Sequence, residues 1–248
     1  MRRRFSGRRT LILGGSCRLA LGLAAALPAQ GLYPIPTYRS DAGKGRIEKA
    51  FHSGMGEFTA LYLDLCRKET IEEVLAPVLE EGVDYMVDFA QGDLEGLVAS
   101  ADTDAVSSFF ESNIASRAAV IRRVSRAMVL QGAGRMVYVS STAAGMPNPG
   151  QGFYAAAKQA SEALYRSAGL ELAPRGVTTV ALRPGYVNAG RGNRYLNKNA
   201  DVALAKVPLG RALQIAEVVD TILFLLSDSA VGFNATALTM DGGLSAGK

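Results

Sequence analysis

Short apolar runs alternate with stretches of helical periodicity along the whole chain. The apolar runs predict strands at residues 9–13, 32–38, 59–63, 83–89, 135–140, 178–182 and 237–240. Between them, apolar residues spaced three and four apart predict helices over about 19–29, 71–79, 104–130, 154–172 and 216–226. Such alternation is typical of an α/β fold, here a doubly wound parallel sheet with helices on both faces.

The second predicted strand is unusual because it carries Pro34 and Pro36. Proline has no N–H to donate, and residues two apart face the same neighbour, so one hydrogen-bond ladder of this strand must be weakened. No internal repeat or Pro/Ser-rich linker divides the chain. Residues 1–248 are therefore predicted to form a single domain.

The composition is that of an ordinary globular protein, with 48% hydrophobic and 20% charged residues. The net charge is only +4, and much of it lies in a basic N-terminal tail, residues 1–8. No basic face interleaved with aromatic residues supports nucleic-acid binding, so a solvated tail is the favoured interpretation. No segment reaches the roughly 18 apolar residues of a membrane span. We expect no membrane partner and a cytoplasmic location.

The N-terminal segment superficially resembles an export signal, because Arg8 and Arg9 precede an apolar stretch. Arg18 interrupts that stretch, and removal of the segment would delete a strand and a helix that the later pattern requires. We therefore interpret residues 9–29 as part of the fold.

The side chains that most often build metal or disulfide sites are scarce. Cys17 and Cys66 are too few for a disulfide framework, and their apolar neighbours predict reduced thiols in or near the core. His52 is the single histidine, which leaves little room for a histidine metal site or a Ser-His-Asp triad. No metal is expected.

Tyr154 and Lys158 carry the most suggestive chemistry. Their i, i+4 spacing places both on one face of a predicted helix. An ammonium beside a phenol stabilises the phenolate and lowers the tyrosine pKa towards a range useful for proton transfer. Ser141, at the end of a predicted strand, supplies a second hydroxyl. Together these side chains can protonate or deprotonate an alcohol or ketone oxygen. A tyrosine and a lysine at this spacing are by themselves common on helix surfaces.

The turns after the first two strands are candidates for a dinucleotide site, since ligands bind beyond the carboxyl ends of such strands. The first turn begins at Gly14 and continues through Ser16, Cys17, Arg18 and Leu19. Its backbone N–H groups and the N-terminus of the following helix can hold a pyrophosphate. No acid occupies Thr37 or Tyr38, at the end of the second strand, to bind a free ribose 2′-hydroxyl. A 2′-phosphate would suit Arg18, Arg39 and Ser40, which favours NADP(H) over NAD(H). The alternative for Arg39 is an ordinary exposed loop arginine.

These positions together resemble the short-chain dehydrogenase/reductase family, whose members have the Rossmann fold, over essentially the whole chain. The resemblance is strongest to 3-oxoacyl-(acyl-carrier-protein) reductases. It implies a catalytic tetrad of Asn113, Ser141, Tyr154 and Lys158, with Ser141 lying 13 residues before Tyr154. Tyr154 would protonate the carbonyl oxygen, Lys158 would bind the nicotinamide ribose, Ser141 would bind the substrate oxygen and Asn113 would hold a relay water.

The resemblance also implies the remaining contacts. The adenine would lie against Asp64 and Leu65, and the nicotinamide beside Pro184, Gly185 and Val187. After the fourth strand the family has Asn-Asn-Ala-Gly, whereas this chain has Asp88, Phe89, Ala90 and Gln91. That departure predicts an acid and a bulky ring next to the cofactor. Residues 188–212 are expected to form a substrate lid, and the substrate candidates are Gln151, Tyr186, Arg191 and Arg194.

The function implied is NADPH-dependent reduction of a ketone to a secondary alcohol in fatty acid or polyketide biosynthesis. The expected substrate is a 3-oxoacyl thioester, free or on an acyl carrier protein, and the expected assembly is a homotetramer or homodimer. One alternative is a reductase of a free small ketone, pteridine, sugar or polyketide. Another is a cofactor-sensing or scaffolding protein with a relic site, favoured by the altered segments 14–20 and 88–91 and opposed by the intact tetrad.

Overall fold

A computed structural model describes residues 3–51 and 56–246, and it contains one sheet of seven parallel strands. The strands are β1 (Arg9–Leu13), β2 (Tyr33–Tyr38), β3 (Leu61–Tyr62), β4 (Tyr85–Asp88), β5 (Gly134–Val139), β6 (Val177–Pro184) and β7 (Thr236–Met240). Their order across the sheet is β3-β2-β1-β4-β5-β6-β7. The direction of winding reverses between β1 and β4, and a ligand-binding crevice opens at such a reversal.

The helices that cover the sheet are α1 (Arg18–Ala26), α2 (Asp41–Phe51), α3 (Ile71–Glu80), α4 (Thr103–Phe110), α5 (Ser116–Gln131), α6 (Gly152–Leu172), α7 (Gly190–Leu204) and α8 (Ile215–Leu226). Side chains of α1, α2 and α8 pack on one face, and those of α3, α5 and α6 pack on the other. Neighbouring strand residues point to opposite faces, so Ile12 enters the first core and Leu11 and Leu13 enter the second. The predicted doubly wound fold is confirmed.

Every predicted strand and helix is present, with bounds that shift by a few residues, and the two prolines explain the shortening of the third strand. The carbonyl of Pro34 accepts a hydrogen bond from Thr59 N, so the prolines face β3. Regular pairing of β2 with β3 begins only at Thr37, which is opposite Leu61. The weakened ladder is thus the one to β3, and β3 is shorter than the predicted 59–63.

Two stretches of helix differ from the prediction. Helix α2 was not predicted, because Gly43 and Gly45 and several charged residues obscure its periodicity, yet Ile47 and Phe51 are buried on one face. The long helix predicted at 104–130 is interrupted by a π-helical turn, Glu111–Ala115, between α4 and α5. Asn113 lies in this turn. Such turns are frequent at functional sites.

The N-terminal segment is less solvated than predicted. Arg3 pairs with Asp220 at 3.3 Å, and the Phe5 ring packs edge-on against Tyr85 with 6.4 Å between ring centroids. Residues 3–8 therefore lie against the body of the domain. The interpretation of the following segment as strand and helix is confirmed by β1 and α1.

Cys17 and Cys66 are free thiols, as predicted, but the expectation that they lie in or near the core is wrong. Cys17 and Cys66 are both exposed, because each lies in a loop that follows a strand rather than within the core. His52 lies outside the described residues. Nowhere in residues 3–51 and 56–246 do three or more His, Cys, Asp or Glu side chains gather as a metal site would require. Among the described helices, none has the length and apolarity needed to cross a membrane.

Candidate active site

Tyr154 and Lys158 lie in the first turns of α6, on the face that packs against the end of β5. Their exposed fractions are 8% and 3%. The Lys158 ammonium nitrogen donates to the Val139 carbonyl at 2.8 Å and lies 5.8 Å from the centroid of the Tyr154 ring. Ser141 follows β5, and its hydroxyl oxygen accepts from the Ala143 N–H at 3.2 Å. Ser141 and Tyr154 line one cavity at the carboxyl ends of the strands. The structure thus brings these three predicted residues together.

Burial governs the proton affinities of the two central groups. It raises the pKa of the Tyr154 phenol above its usual value, while the neighbouring Ser141 and the charge of Arg191 act to lower that pKa. Burial, aided by the charge of Arg117, lowers the pKa of Lys158 to about 7. The expected lowering of the Tyr154 pKa is therefore wrong in direction, because desolvation of the phenolate outweighs the neighbouring cations.

Asn113 is buried in the π-helical turn, and its side chain is fully engaged. The side-chain oxygen accepts from the Gly92 N–H at 2.7 Å, and the amide nitrogen donates to the Phe109 carbonyl at 2.8 Å and to Ser112 Oγ at 3.1 Å. The side chain therefore ties the helix to the loop that follows β4. It lines the neighbouring cavity rather than the one that holds Tyr154.

Two adjoining cavities, of about 270 and 540 Å³, run along the carboxyl ends of the strands and share wall residues. The smaller is lined by Gly14, Ser16, Cys17, Arg39, Asp64, Leu65, Phe89, Ala90, Gln91 and Asn113. The larger is lined by Arg18, Leu19, Ser141, Tyr154, Lys158, Pro184, Gly185 and Val187, and by the substrate candidates Gln151, Tyr186, Arg191 and Arg194. Of the predicted residues, Ser40 and Asp88 line neither cavity. The Ser40 hydroxyl instead accepts from the Gly43 N–H at the start of α2.

The walls of these cavities fit a dinucleotide. Gly14 has φ +67°, and a Cβ there would lie 2.9 Å from the backbone of Ala90, so the close approach of the two turns requires glycine. A Cβ on Gly185 would lie 2.8 Å from the Cβ of Asp241. The Gln91 amide is buried, and both its nitrogen and its oxygen lack a partner among the described residues. A polar ligand in the cavity would satisfy it.

The end of the smaller cavity beyond β2 is basic. Arg39 and Arg46 both line it, and the strand ends there with Thr37 and Tyr38 rather than an acid. Arg46 extends from α2, and its Nε donates to the Ser16 carbonyl at 3.1 Å. Arg46 is not among the predicted site residues because α2 was not predicted. The helical spacing of α2 is the signal that places this residue towards the first turn.

The acid expected next to the cofactor is elsewhere. Asp88 has no exposure and lines neither cavity, and its carboxylate is bound by Arg117 and Tyr165 behind the sheet edge. The expectation for Asp88 is therefore wrong, because side chains alternate along a strand and this one points away from the crevice. Phe89 does line both cavities, as expected.

Helix α7 lies within the predicted lid and is linked to the loop after β4 by ion pairs. Arg191 contacts Asp93 at 2.8 Å and Glu95 at 2.5 Å, and Arg194 contacts Asp93 at 3.0 Å. The Arg191 guanidinium also lies 4.2 Å from the centroid of the Tyr154 ring, a cation–π contact. These pairs hold the lid helix directly over the tyrosine.

Comparison with known proteins agrees with this geometry. A family model described as enoyl-(acyl carrier protein) reductase matches residues 18–245. The chain is 29% identical to the 3-oxoacyl-(acyl-carrier-protein) reductase of Vibrio cholerae serotype O1 over 241 residues, which cover 96% of this chain and 97% of the other. The corresponding reductase of Escherichia coli (strain K12) is also 29% identical, over 97% of this chain and 98% of its own.

Solved structures give the same picture of the fold. A short chain dehydrogenase/reductase family protein aligns with a TM-score of 0.86 at 25% identity, covering 99% of this chain and 100% of its own. A gluconate 5-dehydrogenase from Burkholderia cenocepacia J2315, solved with NADP and tartrate, aligns with a TM-score of 0.90 at 23% identity, covering 100% and 98% of the two chains. An NAD+-bound xylitol dehydrogenase aligns with a TM-score of 0.88, also at 23% identity, covering 96% and 99%.

Proposed function

Because the chain belongs to the short-chain dehydrogenase/reductase family, a family of oxidoreductases, we propose that it is an NADPH-dependent ketoreductase of 3-oxoacyl thioesters. The observation that carries this proposal is the burial of Tyr154 and Lys158 beside Ser141 in one cavity that adjoins the dinucleotide crevice. The relatives named as 3-oxoacyl-(acyl-carrier-protein) reductases support the substrate class. We propose a cytoplasmic location and a homotetramer or homodimer for the same enzyme.

The protein's own residues account for the proton side of the reduction. Tyr154 transfers its phenolic proton to the carbonyl oxygen, to which Ser141 also donates a hydrogen bond. Lys158 as an ammonium stabilises the phenolate that Tyr154 becomes, and the phenolate regains a proton from solvent. Burial supports this role, since it raises the Tyr154 pKa and so keeps the phenol protonated before the reaction. The product is a secondary alcohol.

The cofactor would be held along the two cavities. The bound nicotinamide supplies the hydride that forms the new C–H bond at the carbonyl carbon. The turn from Gly14 to Leu19 would hold the pyrophosphate, and Lys158 would hold the nicotinamide ribose. Arg39 and Arg46 would bind a 2′-phosphate by charge-assisted hydrogen bonds, which is why we propose NADPH rather than NADH.

The proposal is tested by NADPH oxidation with two substrate panels, one of 3-oxoacyl thioesters and one of free ketones, sugars and pteridines. We expect turnover of thioesters. In Tyr154→Phe, kcat should fall about 100-fold or more, since a general acid contributes at least that much. NADPH affinity, measured by fluorescence titration, should stay within about threefold because the hydroxyl is not a major part of the binding site.

Tyr33→Phe is the matched control, since it removes a tyrosine hydroxyl that is hydrogen-bonded to Thr59 at the amino-terminal end of β2, away from both cavities. It should leave kcat unchanged. Reduction of free ketones alone would reject the thioester substrate. Saturable NADPH binding without turnover on either panel would reject catalysis and favour a cofactor-sensing protein.

A further inference from the structure

Asp88 and Arg117 form an ion pair in which both side chains have no exposure. The Arg117 Nε lies 2.7 Å from the Asp88 Oδ2. Asp88 ends β4, and Arg117 lies in the first turn of α5. Removing two charges from water is costly, and the cost is recovered only where each charge has a partner and the remaining polar atoms are bonded as well.

The bonding of this pair is close to complete. The second oxygen of Asp88 accepts from the Ala90 N–H at 2.9 Å, and Oδ2 also accepts from the Tyr165 hydroxyl at 3.0 Å. Arg117 donates through one terminal nitrogen to the Ala90 carbonyl. The other terminal nitrogen donates to the Asn113 carbonyl and to Ser161 Oγ, the latter at 3.0 Å. The planar fork of an arginine suits several such acceptors at once.

The groups bonded by Arg117 belong to three separate parts of the site. Ala90 lies in the turn that lines the smaller cavity, and Asn113 lies in the π-helical turn. Ser161 follows Lys158 by three residues on α6, and its hydroxyl donates to the Ala157 carbonyl at 2.8 Å. One guanidinium therefore joins the dinucleotide crevice, the π-helical turn and the helix that carries Tyr154 and Lys158.

Charged and titratable groups also surround the Lys158 ammonium. Those that face it are Arg117 on α5, Asp88 on β4, Arg191 on α7, Cys17 before α1, Tyr138 on β5 and Tyr154 on α6. Arg117 acts to lower the Lys158 pKa, and Asp88 acts to raise it. The two members of the ion pair thus act on the amine in opposite directions, and the effect of Arg117 is the larger.

We propose that Asp88 and Arg117 are a positioning pair that sets the distance between the cofactor turn at Ala90, the turn at Asn113 and the helix of Lys158. The proposal rests on the proposed function, in that Ala90 and Lys158 contact the cofactor there. Neither member touches the cavities, so both act through the groups they hold.

The test uses Arg117→Met, Asp88→Asn and the double variant. Measurements are Tm, NADPH affinity by fluorescence titration, and the titration of the Lys158 ε-carbon in ¹³C-lysine-labelled protein. The Lys158 signal is assigned by its loss in Lys158→Met. Arg122→Met is the matched control, because it removes an arginine from the exposed face of the same helix.

Each single variant leaves one buried charge unpaired, so each should have a lower Tm than the wild type. The Lys158 midpoint should rise in Arg117→Met and fall in Asp88→Asn, by about 0.5 to 1 pH unit. The double variant removes both charges, so its Tm and its Lys158 midpoint should return close to the wild type. Its NADPH affinity should nevertheless stay about tenfold weaker, because the bonds to Ala90 and Asn113 are gone.

A double variant with wild-type NADPH affinity would overturn the proposal, since it would show that the pair only occupies space in the core. Equal Lys158 midpoints in the wild type and a folded single variant would overturn it as well. None of these measurements needs a carbonyl substrate, so each can be made even if the protein turns over no substrate. If the wild type does not bind NADPH, the proposed function fails, and the Lys158 titration still tests the pair.

Discussion

The surroundings of Lys158 bring the ionisation of its amine into the neutral pH range. Its amine is buried, donates to the Val139 carbonyl, and has a pKa lowered to about 7 by burial and by Arg117. Tyr154 is affected in the opposite direction, because burial disfavours the phenolate. The two groups are therefore poised as a neutral phenol beside an amine that is charged only below about neutral pH.

A pH dependence follows from the Lys158 pKa. Below about pH 7 the amine is an ammonium, and above that value it loses its proton and with it the charge that stabilises the Tyr154 phenolate. We expect kcat/KM for reduction, which reports the ionisation of the free enzyme, to fall as pH rises through about 7. Initial rates with limiting NADPH from pH 6 to 9 measure this, and a profile that stays flat across the range would contradict it.

At the scale of elements, the lid helix α7 is attached to the loop after β4 mainly through charges. Its described ion pairs to that loop are those of Arg191 and Arg194 with Asp93 and Glu95, and both acids are about half exposed. Ion pairs at that exposure are weak one by one and are screened by salt. The lid is therefore the part of the site whose closure is most easily altered.

We expect Asp93→Asn/Glu95→Gln to loosen the lid while keeping the Arg191 guanidinium that lies against the Tyr154 ring. Trypsin should cleave at Arg191 or Arg194 about threefold faster or more, and the substrate KM should rise, as each lost pair weakens closure. Trypsin digestion followed by mass spectrometry measures the first effect. Asp201→Asn, an exposed acid on the same helix outside these pairs, is the control. Unchanged cleavage in the double variant would show that the ion pairs do not hold α7.

At the scale of the whole molecule, one continuous sheet with a core on each face supports a cofactor crevice along its carboxyl edge. The first turn, the end of β2, the turn after β4 and the start of α6 all contribute to that crevice. A ligand bound across so many elements stabilises the folded state as a whole, since it binds the native state and not the unfolded chain.

NADPH should therefore raise Tm, and NADH should raise it less at equal concentration. At 100 times its Kd a ligand adds about 2.7 kcal/mol, which corresponds to about 5–10 °C for a domain of this size. In Arg39→Met/Arg46→Met the two cofactors should give equal shifts, because the 2′-phosphate has lost its cationic partners. Lys49→Met, elsewhere on α2, serves as the control in the same thermal scans. Equal shifts in the wild type would refute the NADPH preference.

The predictions that succeeded rest on local patterns. Strand and helix order, the parallel sheet and the approach of Ser141, Tyr154 and Lys158 all follow from periodicity, spacing and resemblance to a family. A parallel sheet brings the carboxyl ends of its strands to one edge, so residues that follow strands must meet there. Even the weak ladder of β2 follows from Pro34 and Pro36, although only the structure shows that it faces β3.

What the sequence by itself determined is the order of strands and helices along the chain and the approach of Ser141, Tyr154 and Lys158 at the carboxyl edge of the sheet. Only the tertiary structure decided which way Asp88 points, that Arg117 neutralises it, and that burial raises rather than lowers the pKa of Tyr154. These outcomes depend on side chains from α5, α6 and β4 that are distant along the chain and meet only in the folded core. The desolvation of Tyr154 and the pairing of Asp88 with Arg117 depend on these tertiary contacts, and no local sequence pattern predicts them.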